Sequence, residues 1–139
     1  MTVQESLNKL ESGHPQREFD IISLKLAVEM ELDLLRKLGT AGRSDTPAIV
    51  GTFLKVLSQD KDPRIRATVA NELSKIAHDI VRYRVSLFQD VPNLVEQGLI
   101  SALKDEGPSV RKAATKALRK IGTRSALAAV PPKPWWEFW

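Results

Sequence analysis

Two histidines, two pairs of acids beside prolines, a run of lysines and arginines, and a C-terminal cluster of aromatic rings are the residues of this 139-residue chain whose types can carry chemistry. The histidines offer least. His14 precedes a proline and His78 lies in a polar stretch, and neither has a second histidine or a carboxylate at persuasive metal-ligand spacing. The sequence contains no cysteine, which rules out disulfides and thiolate metal sites. It also has no G-x-S-x-G elbow and no glycine-rich phosphate loop. The acids Asp60/Asp62 and Asp105/Glu106 stand just ahead of Pro63 and Pro108, in turns where such residues cap helices. No catalytic residue, cofactor or metal is expected, and the chain reads as a binding module rather than an enzyme.

Binding chemistry is better represented. Lys112, Lys116, Arg119, Lys120 and Arg124 fall opposite the apolar stripe of one predicted helix, and Arg82 and Arg84 add to the basic surface. A solvated helical face accounts for most such charge. Its functional reading is docking onto an acidic protein, with nucleic acid as the alternative, although no aromatic residues interleave with the basic ones. The net charge of +4 divides unevenly: residues 1–45 carry 6 basic against 8 acidic side chains, and residues 46–139 carry 15 against 9. The aromatic cluster, Trp135, Trp136, Phe138 and Trp139, follows the stiff run Pro131-Pro132-Lys133-Pro134. Three readings of this tail are open: folding back on its own domain, insertion into a partner's groove, or anchoring at a membrane interface.

The elements that position these residues come from a sentence written twice. D-K-D-P-R-I-R-A-T-V-A-N-E-L-S-K-I-A runs from Asp60 to Ala77, and D-E-G-P-S-V-R-K-A-A-T-K-A-L-R-K-I-G from Asp105 to Gly122. Pro63 matches Pro108, Arg66 matches Arg111 and Leu73 matches Leu118, all at a spacing of 45 residues. That period, with an apolar residue at every third or fourth position, predicts paired helices that stack on their neighbours. Helices are expected at 46–58 and 63–77 in the first unit, and from Pro92 and from Pro108 in the second. The stretch 78–90 either extends a helix or forms a short one, and 123–130 adds a turn or two.

Ahead of these units, Thr2 and Glu5 form a capping box for a short helix ending near Ser12. A long helix then spans about 16–38, with Gly39 as its left-handed cap. It carries two apolar stripes, Ile21-Leu24-Val28-Leu32-Leu35 and Phe19-Ile22-Leu26-Met30-Leu34, which predict contact from two sides. Thr46 is expected to cap the next helix, with Pro47 in its first turn. The fold class is thus all-α, a short α-α superhelix. One domain covers 1–130, with units at 46–77 and 92–122, a long N-terminal helix and a tail at 131–139. No apolar run spans a bilayer and the start has no secretory signal, so a cytoplasmic location is expected, with peripheral membrane contact left to the tail.

The motif D-x-(x)-P-x-[IV]-R-x-x-[AV]-x-x-x-L-x-x-[IV] resembles HEAT repeats, most closely the short HEAT-like units of phycobilisome lyases. The resemblance implies a scaffold or adaptor that assembles or remodels a larger complex, such as a photosynthetic one, with a bilin lyase or chaperone-like subunit as the alternative. It also implies that turn acids and second-helix arginines pair within and between repeats, with Asp60 or Asp62 as the partner of Arg66 and Asp105 as the partner of Arg111. Residues 1–39 resemble a degenerate unit in which Pro15 stands for Pro63 and Glu18 occupies the arginine position. The second helices of the units would line the concave binding face with Arg64, Arg66, Asn71, Lys75, Lys112 and Lys116.

Overall fold

Proline sits in the first turn of four successive helices, where its missing N–H is no loss and its fixed φ favours the helix. In the computed structural model, which describes residues 2–12, 17–39 and 44–131, these are α3 (Thr46–Gln59), α4 (Pro63–Arg82), α5 (Val91–Ala102) and α6 (Pro108–Ile121). Before them come α1 (Val3–Ser12) and α2 (Arg17–Leu38), and α7 (Arg124–Ala129) follows. A single 3-10 turn lies at Ser86–Phe88, and the described residues contain no strand.

The helices form three antiparallel hairpins, α1/α2, α3/α4 and α5/α6. First helices pack in one layer (α1 on α3, α3 on α5) and second helices in another (α2 on α4, α4 on α6). The expected all-α stack is thus the observed fold. Central α4 touches α2, α3, α5 and α6. Accordingly it buries Ile65, Val69, Leu73, Ile76 and Ile80, and keeps only a narrow polar strip in water. Burial of each such side chain contributes on the order of 1.5–3 kcal/mol.

The stretch 78–90 does both things the sequence allows, and two expectations, for Thr46 and for α2, are overturned. Helix α4 runs on through Arg82, because Ile80 still faces the core, and a short 3-10 turn follows. Between them the chain turns through Arg84, whose φ of +53° is left-handed. Thr46 lies inside α3 and does not cap it. The buried Glu31 of α2 supplies that cap, accepting from Asp45 N–H at 2.8 Å, from Thr46 N–H at 3.1 Å and from the Thr46 hydroxyl. Finally, α2 is covered on one side only: Ile21, Leu24, Val28 and Leu32 are buried, whereas its second stripe faces solvent. No helix among the described residues is long and apolar enough to cross a membrane.

Candidate functional site

Each repeated aspartate is fixed by its own turn. Asp60 Oδ1 accepts the Asp62 N–H at 2.9 Å, and Asp105 Oδ1 accepts the Gly107 N–H at 2.8 Å. This Asx geometry holds the carboxylates at the hairpin tips, aimed toward the preceding unit. Asp62 then caps α4 by accepting the Arg64 N–H at 2.9 Å, and this bond holds its pKa below the usual value against the opposing effect of burial. Gly107 occupies the corresponding place ahead of α6. A Cβ there would lie 3.2 Å from Pro63 Cβ, so the close approach of the two hairpins leaves little room for a side chain.

The arginines join these tips into a ladder. Arg66, only 5% exposed, donates Nε to Asp105 Oδ2 at 3.0 Å and Nη2 to Asp105 Oδ1 at 2.9 Å. Its Nη1 donates to the Asp60 carbonyl at 2.5 Å. One guanidinium thereby clamps the next unit's carboxylate and its own unit's turn. Burial pushes the Asp105 pKa up, but the bonds from Arg66 and the Gly107 N–H outweigh it, and the net value is lowered. One step back, Arg17 pairs with Asp60 Oδ2. One step forward, Arg111 donates Nη1 to the carbonyls of Asp105 at 2.7 Å and Glu106 at 3.0 Å. It has no carboxylate partner among the described residues.

The pairings implied by the resemblance are corrected accordingly. Arg66 bonds the carboxylate of Asp105, a pairing between repeats, rather than those of Asp60 or Asp62. Arg111 hydrogen-bonds only backbone carbonyls of the Asp105 turn, while its charge still acts on the Asp105 carboxylate. Carboxylate pairing runs between units, because the tip acid of one hairpin faces the second helix of the hairpin before it. Arg66 is therefore a structural clamp and not part of an open binding face. The N-terminal unit does have its arginine: Arg17 fills the role one residue before the expected position, Glu18. Strict spacing from the other two copies points to Glu18 and so missed it.

The partner-binding candidates separate into engaged and free groups. Arg64 is exposed, 3.6 Å from Asp62, and Lys75 lies 3.4 Å from Glu72 Oε1. Arg119 donates to the Pro131 carbonyl at 3.2 Å, which ties the chain's exit to α6 and removes it from the free set. Lys112, Lys116 and Lys120 stand one turn apart along the outer face of α6 and are exposed, with no ion pair or side-chain hydrogen bond to any described residue. Trp135, Trp136, Phe138, Trp139 and His14 lie outside the described residues. His78 Nδ1 is 3.8 Å from Asp79, and no group of acids and histidines among the described residues has a metal-binding arrangement.

Sequence reading also missed two buried glutamates. Glu31 caps α3, as above. Glu96 accepts the Thr123 hydroxyl at 3.0 Å and the Ser125 hydroxyl, and so holds α7 against α5. The available signal was an acid inside an apolar stripe: Glu31 falls between Val28 and Leu32, and Glu96 follows the buried Val95. Comparison with protein families, with curated proteins and with solved structures gives no match to this chain.

Proposed function

We propose that this protein is a non-catalytic, HEAT-like interaction module whose α6 face docks an acidic protein partner during assembly or remodelling of a larger complex. The observation that carries this reading is the row Lys112-Lys116-Lys120, three exposed cations at successive turns with no ion pair to any described residue. Like charges at i,i+4 destabilise a helix by a few tenths of a kcal/mol per pair. A partner's carboxylates would remove that cost and gain the pairing. Arg111, whose guanidinium lacks the carboxylate that Arg66 holds, extends the same surface toward the hairpin tip.

The resemblance to phycobilisome-lyase repeats makes bilin-bearing light-harvesting assemblies the first complexes to test, in a cytoplasmic setting. The test compares the wild-type chain with the triple variant Lys112→Glu, Lys116→Glu, Lys120→Glu in pull-downs from native extract read by mass spectrometry. An acidic protein recovered by wild type and lost with the folded variant supports the proposal. A set of recovered proteins unchanged by the variant overturns it. Binding to duplex DNA with a steep salt dependence would instead favour the nucleic-acid reading. A new absorbance band on mixing with free bilin would favour the lyase reading.

A further inference from the structure

The second stripe of α2 is the most extended run of exposed large apolar side chains among the described residues. Phe19 is 69% exposed, Ile22 50%, Leu26 51%, Met30 68%, Leu34 40% and Leu38 69%. At about 100 Å² of exposed apolar surface each, they present on the order of 600 Å², the upper end for the largest patch on a monomer. The location matters as much as the size. Helix α2 ends the row α2–α4–α6, and the stripe lies on the side away from α1, α3 and α4. At the other end, α7 packs over α5 and α6. Stacked-repeat proteins need a polar outer face on their terminal units. This stack has a cap at its C-terminal end and an apolar face at its N-terminal end.

The charge around the stripe selects the occupant. Helix α2 begins with the acidic Glu18 and ends with the basic Arg36 and Lys37, all exposed. A second α2 laid antiparallel across it, centred between Leu26 and Met30, sets Ile22 opposite Leu34 and Leu26 opposite Met30 of the other copy. It also brings Glu18 beside Arg36 and Lys37 of the other copy at both ends, because antiparallel helices face each other with equivalent flanks. Both cations contact Asp33 of their own helix, so Glu18 adds a second carboxylate to two cations that share one. The antiparallel arrangement opposes the two helix dipoles as well. A membrane surface fits less well, since α2 carries four basic and five acidic residues, where interfacial helices are rich in lysine and arginine.

We infer that the chain forms a two-fold symmetric dimer through the exposed stripe of α2, joining two three-hairpin stacks at their N-terminal ends. The contact is isologous, so it closes on itself and does not propagate into fibres. It buries on the order of 1,200 Å² over both copies, within the range of specific interfaces.

The test is sedimentation velocity on the full chain at micromolar concentrations, with circular dichroism to verify folding. The expected wild-type species is a dimer. Leu26→Lys sets two cations beside the symmetry axis and is expected to give a folded monomer. Glu18→Lys is expected to weaken association at least about tenfold, through repulsion from Arg36 and Lys37 of the other copy. Adding Lys37→Glu to Glu18→Lys is expected to recover most of that loss, which a merely destabilised variant would not do. A monomer at all concentrations, or a dimer untouched by Leu26→Lys, overturns the inference. So does a monomer that binds lipid vesicles through this face. A dimer lost when residues 132–139 are removed, with the fold intact, also overturns it, because the aromatic tail would then be the occupant.

Discussion

Arg66 and Arg111 are the same residue in two copies of one motif, and the structure assigns them different energies. Replacing Arg66 by Met keeps the aliphatic stem and removes three hydrogen bonds, two of them a bidentate clamp on Asp105. Breaking a buried ion pair from one side costs about 3–5 kcal/mol. The Asp105 side chain is 13% exposed and keeps its Gly107 N–H, which brings the expected loss to the low end, about 3 kcal/mol. Arg111→Met removes two bonds to neutral carbonyls at an exposed position, for about 0.5–1 kcal/mol. With a urea slope of about 1.5 kcal/mol/M, the midpoint falls by about 2 M for Arg66→Met and by well under 1 M for Arg111→Met. A double-mutant cycle of Arg66→Met with Asp105→Asn isolates the pair, with an expected coupling above about 1 kcal/mol. Equal losses for the two arginines, or a coupling near zero, would refute the inter-unit ladder as a stabilising device.

Two further perturbations follow from the same geometry. The Asp105 pKa is lowered in the folded state, so its contribution is fully present above the unfolded value near about 4 and is lost as pH falls below it. Urea midpoints measured from neutral pH downward should therefore drop below about pH 4, and less steeply in Asp105→Asn. Glu31→Ala uncaps α3 and leaves the buried Thr46 hydroxyl without its acceptor, for an expected loss of about 2 kcal/mol. Hydrogen exchange at the amides of residues 45 and 46 should rise sharply in that variant, with α6 unaffected.

The hairpins were legible in the sequence because two independent signals coincide in them. Proline at the helix start and an apolar residue every third or fourth position both mark α3, α4, α5 and α6, and Gly39 with its φ of +75° ends α2 as expected. The pairing of the arginines was not legible, because periodicity specifies which residue is repeated and not which unit its side chain faces. A guanidinium reaches across a hairpin boundary as easily as along its own turn. The two stripes of α2 misled for a related reason. Burial on one face is a property of the helix, while burial on the second depends on a neighbour that periodicity does not supply. Glu31 and Glu96 stayed hidden because a charged residue within an apolar stripe reads as a break, until the helix terminus it caps is in place.

The ladder also explains how the motif keeps its spacing across the irregular connection from α4 to α5. Arg66 holds the Asp60 carbonyl and the Asp105 carboxylate together, so hairpin separation is set by the span of one guanidinium. Gly107, where a Cβ would lie 3.2 Å from Pro63 Cβ, permits the same close approach from the other side. The connection from α4 to α5 only has to bridge a gap fixed elsewhere. It does so with a left-handed Arg84 and a 3-10 turn anchored by the buried Phe88. A non-glycine residue in the left-handed region costs on the order of 1 kcal/mol, which the ladder and the stacked apolar faces outweigh. The strain falls in the connection between the second and third hairpins, which belongs to neither, where stacking has less hold on the backbone than inside a hairpin.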